Sequence, residues 1–169
     1  MLHIFNGNMM NLKHLNKVGR GFTPKLAMDF ASIMEKQARP VYESIGIIFP
    51  VITSSTVNVI AKNQSASLLD VARALNVPHQ LAAQRIKNLL KLNIIFPHKD
   101  TEDKRKTNYQ LTEFGKTQSE LLNLYLSKAD NVFSDLNDEI GVDFMELLQK
   151  VNESFIARDL FQRIFSEER

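Results

Sequence analysis

Residues 103–115 have the sequence DKRKTNYQLTEFG: an Asp-Lys-Arg run, five residues, and then Leu-Thr-x-x-Gly. The run is too charged for a core, and residues 107–111 that follow it predict the returning strand of a hairpin. An arginine at a hairpin tip is suited to the minor groove of DNA, which is narrow and strongly negative. The stretch therefore predicts a DNA-binding β-wing.

A helix-turn-helix pattern lies directly upstream. Ser67 is placed to cap a short helix over 68–75, and the turn 76–78 leads into a longer helix over 79–92. Helical spacing puts the apolar residues Ala82, Ile86, Leu89 and Leu90 on the inner face. The opposite face offers small, hydrogen-bonding and cationic side chains that suit base edges and phosphates. The candidates there are His79, Gln80, Ala83, Gln84, Lys87 and Asn88.

The other elements follow from local signals. A first wing strand is predicted over 94–96, with Pro97 favouring an edge strand, and residues 99–106 are expected to form a polar loop. Residues 63–67 predict a polar turn. Upstream, a helix is predicted from Thr23 or Pro24 to Glu43, with Pro40 ending or kinking its last turns, and a second helix over 51–62 is preferred to a strand.

The C-terminal residues 140–165 carry more apolar side chains than one packed helix stripe needs. Burial against a second copy of the chain accounts for this excess, and burial in the core of the same chain is the alternative. The residues expected at a dimer interface are Phe144, Leu148, Phe155, Leu160, Phe161, Ile164 and Phe165.

Composition excludes several functional classes. The net charge is +2 overall but +4 over 1–25, 0 over 26–77, +4 over 78–106 and −6 over 107–169, so the basic charge falls on the N-terminus and on the second helix of the pair with the wing. Cysteine is absent, and no apolar run or signal peptide indicates a membrane, which predicts a cytoplasmic protein. The four histidines have no metal-ligand spacing and no catalytic motif is present, so no cofactor, metal or enzymatic activity is expected.

Residues 65–115 resemble the winged helix-turn-helix of the multiple antibiotic resistance regulator (MarR) family. The family's wing pattern, Asp-x-Arg, five residues and Leu-Thr-x-x-Gly, is matched by Asp103, Arg105, Leu111, Thr112 and Gly115. The resemblance implies a mainly α fold with a small β-wing. Residues 63–111 would form the DNA-binding winged helix-turn-helix, and 1–62 and 112–169 would supply N- and C-terminal dimerisation helices.

The resemblance also implies roles for single residues. The chain would be a homodimeric transcription regulator, repressor or activator, that reads a pseudo-palindromic site in double-stranded DNA. Arg105 would enter the minor groove and Asp103 would orient the wing, while phosphate contacts are expected from Lys99, Lys104 and Lys106. Pro78 and Arg85 depart from the family, which has a Ser or Thr cap and an apolar residue there.

Two questions stay open at this level. A winged helix can serve as a protein docking or dimerisation module without binding DNA, although the retained cations favour DNA. Family members often bind small aromatic or amphipathic effectors, and Phe30, Met34, Tyr42 and Phe49 would line such a pocket. The same four residues are also explained by ordinary core packing. No role is assigned to residues 1–22.

Overall fold

The computed structural model describes residues 19–99 and 104–166. The chain forms two compact units, Met1–Ser119 and Glu120–Arg169. The described residues are mostly helical and include one small antiparallel sheet, which confirms the predicted fold class. No helix among them is long and apolar enough to cross a membrane.

The first unit begins with a 3-10 turn, Arg20–Phe22, followed by helix α1, Thr23–Ile45. Pro24 lies in the first turn of α1, where its missing N–H is harmless, and Gly46 ends the helix with a left-handed φ of 83°. Pro40 was expected to end or kink the last turns of the helix, and it does not end α1, which continues to Ile45. Pro40 is exposed, so the carbonyl that loses its helical partner is open to water.

Helix, rather than strand, is confirmed for the next segment. A 3-10 turn, Val51–Thr53, runs into helix α2, Ser54–Lys62, and Val57 and Ile60 of α2 are fully buried. The helix pair consists of α3, Leu68–Ala74, and α4, His79–Lys91. Ser67 caps α3 as predicted: its hydroxyl accepts from the Asp70 N–H, and the Asp70 carboxylate accepts in return from the Ser67 N–H.

The sheet contains one strand that the sequence did not predict. The order is β1-β3-β2, with β1 at Ala66–Ser67, β2 at Ile95–Lys99 and β3 at Thr107–Leu111. The expected turn over 63–67 is therefore wrong at its end, where Ala66 pairs with Tyr109. Lys99 lies in β2 opposite Thr107, not in the polar loop where it was expected. β2 is an edge strand, which accommodates Pro97.

The Leu-Thr-x-x-Gly motif joins the sheet to helix α5, Glu113–Ile140. The Thr112 hydroxyl donates to the Asn93 carbonyl (2.7 Å) and accepts from the Gly115 N–H (2.8 Å), so Thr112 caps α5. A Cβ on Gly115 would lie 1.9 Å from the Ile94 carbonyl oxygen. Glycine is required there because helix and strand backbones approach too closely for any side chain.

The second unit contains most of α5, then α6, Phe144–Ala157, and α7, Leu160–Phe165. Asp143 and Asp159 cap α6 and α7 by accepting from the N–H groups of Glu146 and Gln162. The apolar residues of α6 and α7 remain largely exposed within the single chain.

Candidate nucleic-acid interface

Helix α4 presents two chemically different faces. Ala82, Ile86 and Leu89 are buried, as predicted, whereas Leu90 is half-buried, and the helix packs against α2, α3 and β2. Asn93, with a left-handed φ of 56°, follows the helix and turns the chain into β2. The buried face fixes which side of α4 remains available to a ligand.

The outer face of α4 carries most of the predicted reading residues. His79, Gln80, Gln84, Lys87 and Asn88 are exposed, whereas Ala83 is half-buried. Amide side chains can form paired hydrogen bonds with adenine edges, and lysine can contact guanine or phosphate. The structure therefore leaves a hydrogen-bonding and cationic surface open along one side of the helix.

Arg85 lies at the margin of this face. It is half-buried, its guanidinium lies 3.5 Å from the Ser55 hydroxyl, and its Nε atom has no hydrogen-bond partner within the described part of the chain. Among the described residues, no carboxylate lies within ion-pair distance of Arg85. The charge of Arg85 is thus directed across α4 towards α2.

The wing places its cations around the turn before β3. Lys104 and Arg105 lie in that turn and are exposed, and Lys99 at the end of β2 lies 3.5 Å from the Thr107 hydroxyl. Asp103, assigned to orient the wing, lies outside the described residues. The Lys106 Nζ atom lies 3.6 Å from the Asp70 carboxylate on α3.

Three residues near the wing, Ser65, Asp70 and His98, were not predicted from the sequence to belong to the site. Hydrogen bonds from Ser67, assisted by the charge of Lys106, hold the pKa of the Asp70 carboxyl below its usual range. The His98 ring lies 3.0 Å from the Ser65 hydroxyl and 3.1 Å from the Lys99 carbonyl. The Ser-x-x-Asp spacing of a capping box could have identified Asp70. No local signal indicates the partners of His98 and Lys106, because these contacts join distant parts of the sequence.

The four predicted pocket residues only partly come together. Tyr42 and Phe49 are buried and meet edge to face at 6.2 Å, while Phe30 and Met34 are half-buried. A cleft of about 230 Å³ is bordered by Tyr42 and Phe49 but not by the other two. Glu35, Arg39 and Glu43 of α1 supply its charged groups. No group of three or more potential metal ligands occurs among residues 19–99 and 104–166.

The residues predicted for a dimer interface are available for one. Phe144 is half-buried, and the other six are exposed, from 40 % for Leu148 to 70 % for Phe161. The rings of Phe161 and Phe165 on α7 are tilted by 46° with centroids 4.7 Å apart, and the Arg163 guanidinium lies 4.8 Å from the Phe155 ring centre. Aromatic side chains arranged this way form an apolar surface.

Comparison with known proteins identifies related sequences and folds. No family model matches the chain. The sequence is 26 % identical over 116 residues to the transcriptional regulator AdcR of Streptococcus pyogenes serotype M6, a match covering 69 % of this chain and 72 % of the relative.

Solved structures share the same architecture. The adhesin competence repressor AdcR from Streptococcus pyogenes superposes with a TM-score of 0.58 and 21 % identity, covering 80 % of this chain and 96 % of the other. A mutant of MarR from E. coli, complexed with operator DNA, gives 0.58 and 17 %, covering 77 % and 96 %. PcaV from Streptomyces coelicolor, bound to its natural ligand, gives 0.57 and 15 %, covering 73 % and 89 %. These findings confirm the resemblance drawn from the wing and helix pair.

Proposed function

We propose that this chain, which has the winged helix-turn-helix fold of the MarR family, is a cytoplasmic transcriptional regulator that binds double-stranded DNA as a homodimer. One observation carries the proposal: the exposed hydrogen-bonding face of α4 lies in the same unit as a wing whose exposed turn carries Lys104 and Arg105. The regulator AdcR and the operator-bound MarR structure support the same reading.

In the proposed complex, α4 enters the major groove. Gln80, Gln84 and Lys87 face base edges, because amides and lysine match the hydrogen-bonding patterns displayed there. His79 and Asn88 lie at the flanks of this face, close to the sugar-phosphate backbone. Ala83, which is half-buried, offers only a small apolar contact.

The wing contributes charge and groove shape. Arg105 inserts into the minor groove, where a narrow A·T-rich segment concentrates negative potential. Lys99 and Lys104 neutralise phosphates, which adds affinity and salt dependence but little sequence preference. Asp103 orients the wing in this scheme.

Dimerisation would supply a second copy of α4 and the wing. Burying a Leu or Phe side chain stabilises an interface by about 1.5–3 kcal/mol. Leu148, Phe155, Leu160, Phe161 and Ile164 are exposed in the single chain and would bury apolar surface against a second copy. A two-fold dimer presents two α4 helices and therefore reads an inverted repeat.

A small effector is part of the proposal. The cleft beside Tyr42 and Phe49 combines an apolar wall with the charged groups of Glu35, Arg39 and Glu43, which suits an aromatic or amphipathic molecule with a polar group. PcaV is a structural neighbour that holds a natural ligand. A ligand in this cleft would regulate DNA binding by favouring one arrangement of the dimer.

The experiment is a DNA-binding titration in increasing salt, with molecular mass measured in the same buffer. Wild-type protein is expected to bind as a dimer with a steep salt dependence, and Arg105→Ala is expected to weaken binding by about 1–3 kcal/mol. Lys36→Ala is the control, because it removes an exposed cation from α1 that lies outside α4, the wing and the cleft. A folded dimer that has no DNA affinity at low salt, before and after refolding without ligand, would favour the docking module instead.

A further inference from the structure

We propose that Lys106 and His98 position the wing, by fastening its two strands to residues 65–70, and that neither contacts DNA. Residues 65–70 run from the turn before β1 to the first turn of α3. The consequence for DNA binding rests on the proposed function, whereas the fastening itself is a property of the free protein.

The first fastening joins Lys106 to Asp70. The Asp70 oxygen that lies 3.6 Å from the lysine Nζ also accepts from the Ser67 N–H at 2.9 Å. An exposed ion pair is usually weak, partly because two long side chains must be ordered to form it. Here the carboxylate is already held by Ser67, so only Lys106 has to be ordered. Lys106 adjoins Arg105, so this contact fixes the backbone beside the wing arginine.

The second fastening joins His98 to Ser65 across the sheet. β3 lies between β2 and β1, so a hydrogen bond of 3.0 Å from His98 on β2 to Ser65 beside β1 spans the middle strand. The pairing register brings the two residues near each other. His98, Asn108 and Ser67 lie in one row of the sheet, and Ser65 lies two residues before Ser67, just outside β1.

Lys104 provides the contrast. It lies two residues from Lys106, is exposed in the same turn, and has no ion-pair partner among the described residues. Two lysines of the same wing thus have different surroundings. Lys104 is available to a phosphate, whereas Lys106 is held against α3, and this makes Lys104→Met the matched control for Lys106→Met.

Amide hydrogen exchange of the DNA-free protein tests the fastening directly. Lys106→Met and Asp70→Asn are expected to speed exchange at 107–111 by up to about fivefold, the upper range for one exposed ion pair. His98→Phe is expected to do the same at 95–99, while Lys104→Met leaves both strands unchanged. If Lys106→Met and His98→Phe exchange their amide hydrogens at the same rate as the wild type, the proposal is overturned. Asn at position 70 retains a capping oxygen, so α3 is expected to stay folded.

A double-mutant cycle in DNA affinity tests the consequence. Lys106→Met and Asp70→Asn should each weaken DNA binding about twofold to fivefold. The loss is expected for Asp70→Asn even though removing a negative charge would by itself favour binding to DNA. The double variant should bind no more weakly than either single variant. Lys106→Arg should restore wild-type affinity. If Lys106→Met lowers DNA affinity by the same factor in the wild type and in the Asp70→Asn variant, Lys106 contacts phosphate and its positioning role is overturned. If the wild type binds no DNA, the proposed function fails, and hydrogen exchange still decides the fastening.

Discussion

Replacing Gly115 by alanine perturbs the point where the wing meets α5. The new Cβ would lie 1.9 Å from the Ile94 carbonyl oxygen and 2.9 Å from its carbonyl carbon. Carbon and carbonyl oxygen atoms ordinarily come no closer than about 3.3 Å, so the two backbones must separate by about 1.4 Å. Neither can yield easily, because Ile94 is fully buried and its carbonyl accepts the Thr112 N–H at 3.0 Å.

The expected loss of stability follows from these contacts. Separation weakens the bond from the Thr112 N–H to Ile94 and the bond from the Gly115 N–H to the Thr112 hydroxyl, at about 1 kcal/mol each. Strain from overpacking adds about 1–3 kcal/mol. Alanine gains about 1 kcal/mol over glycine in a helix, which leaves a net loss of about 2–4 kcal/mol.

Urea denaturation at one fixed protein concentration measures this loss. With a slope near 2 kcal/mol per molar urea, the Gly115→Ala midpoint should fall by about 1–2 M. Gly21→Ala is the control, because a Cβ there meets no atom within 4 Å and its midpoint should remain near that of the wild type. Equal midpoints for Gly115→Ala and Gly21→Ala would refute the close approach and the structural reading of the Leu-Thr-x-x-Gly motif.

Three further outcomes are expected. Ser67 and Lys106 lower the pKa of Asp70 from its ordinary value of 3.8. The stability that the carboxylate adds should therefore be complete above pH 3.8 and lost as the pH falls through the lowered pKa. Melting temperatures of the wild type and Asp70→Asn should converge in that range. Phe161→Asp, at a side chain 70 % exposed in the single chain, should shift the protein from dimer to monomer in sedimentation analysis, and an unchanged mass would contradict its place in the interface. Lys104→Met should lower the slope of log affinity against log salt by about 0.9, whereas an unchanged slope would exclude a phosphate contact there.

The elements predicted well from the sequence are those specified by local signals. The bounds 107–111 of β3, the Ser67 cap and the inward residues of α4 all depend on spacing and capping within one segment. Likewise, the fold of the reading surface followed from adjacent elements, since α3, α4 and the wing are consecutive in the chain.

The features that were missed depend on contacts between distant residues. Ala66 is too short a strand signal to stand alone and becomes a strand only because β3 pairs with it. Lys99 was predicted to lie in the loop because its charge is typical of a loop, whereas its pairing with Thr107 of β3 cannot be read from the local sequence. The fastening of Lys106 to Asp70 crosses 36 positions, and no periodicity reports such a pair. Whether α1 ends at Pro40 depends on whether this face of the helix is exposed, and the local sequence does not show that.

Selection of duplexes from a random DNA library by the purified protein shows whether α4 and the wing read DNA sequence. The wild-type protein should enrich an inverted repeat whose half-sites lie about one helical turn, 10–10.5 base pairs, apart. Arg105→Ala should weaken the preference for A·T pairs in the minor groove beside each half-site. A folded wild-type protein that enriches no sequence, even at low salt, would contradict the assignment of α4 and the wing to DNA.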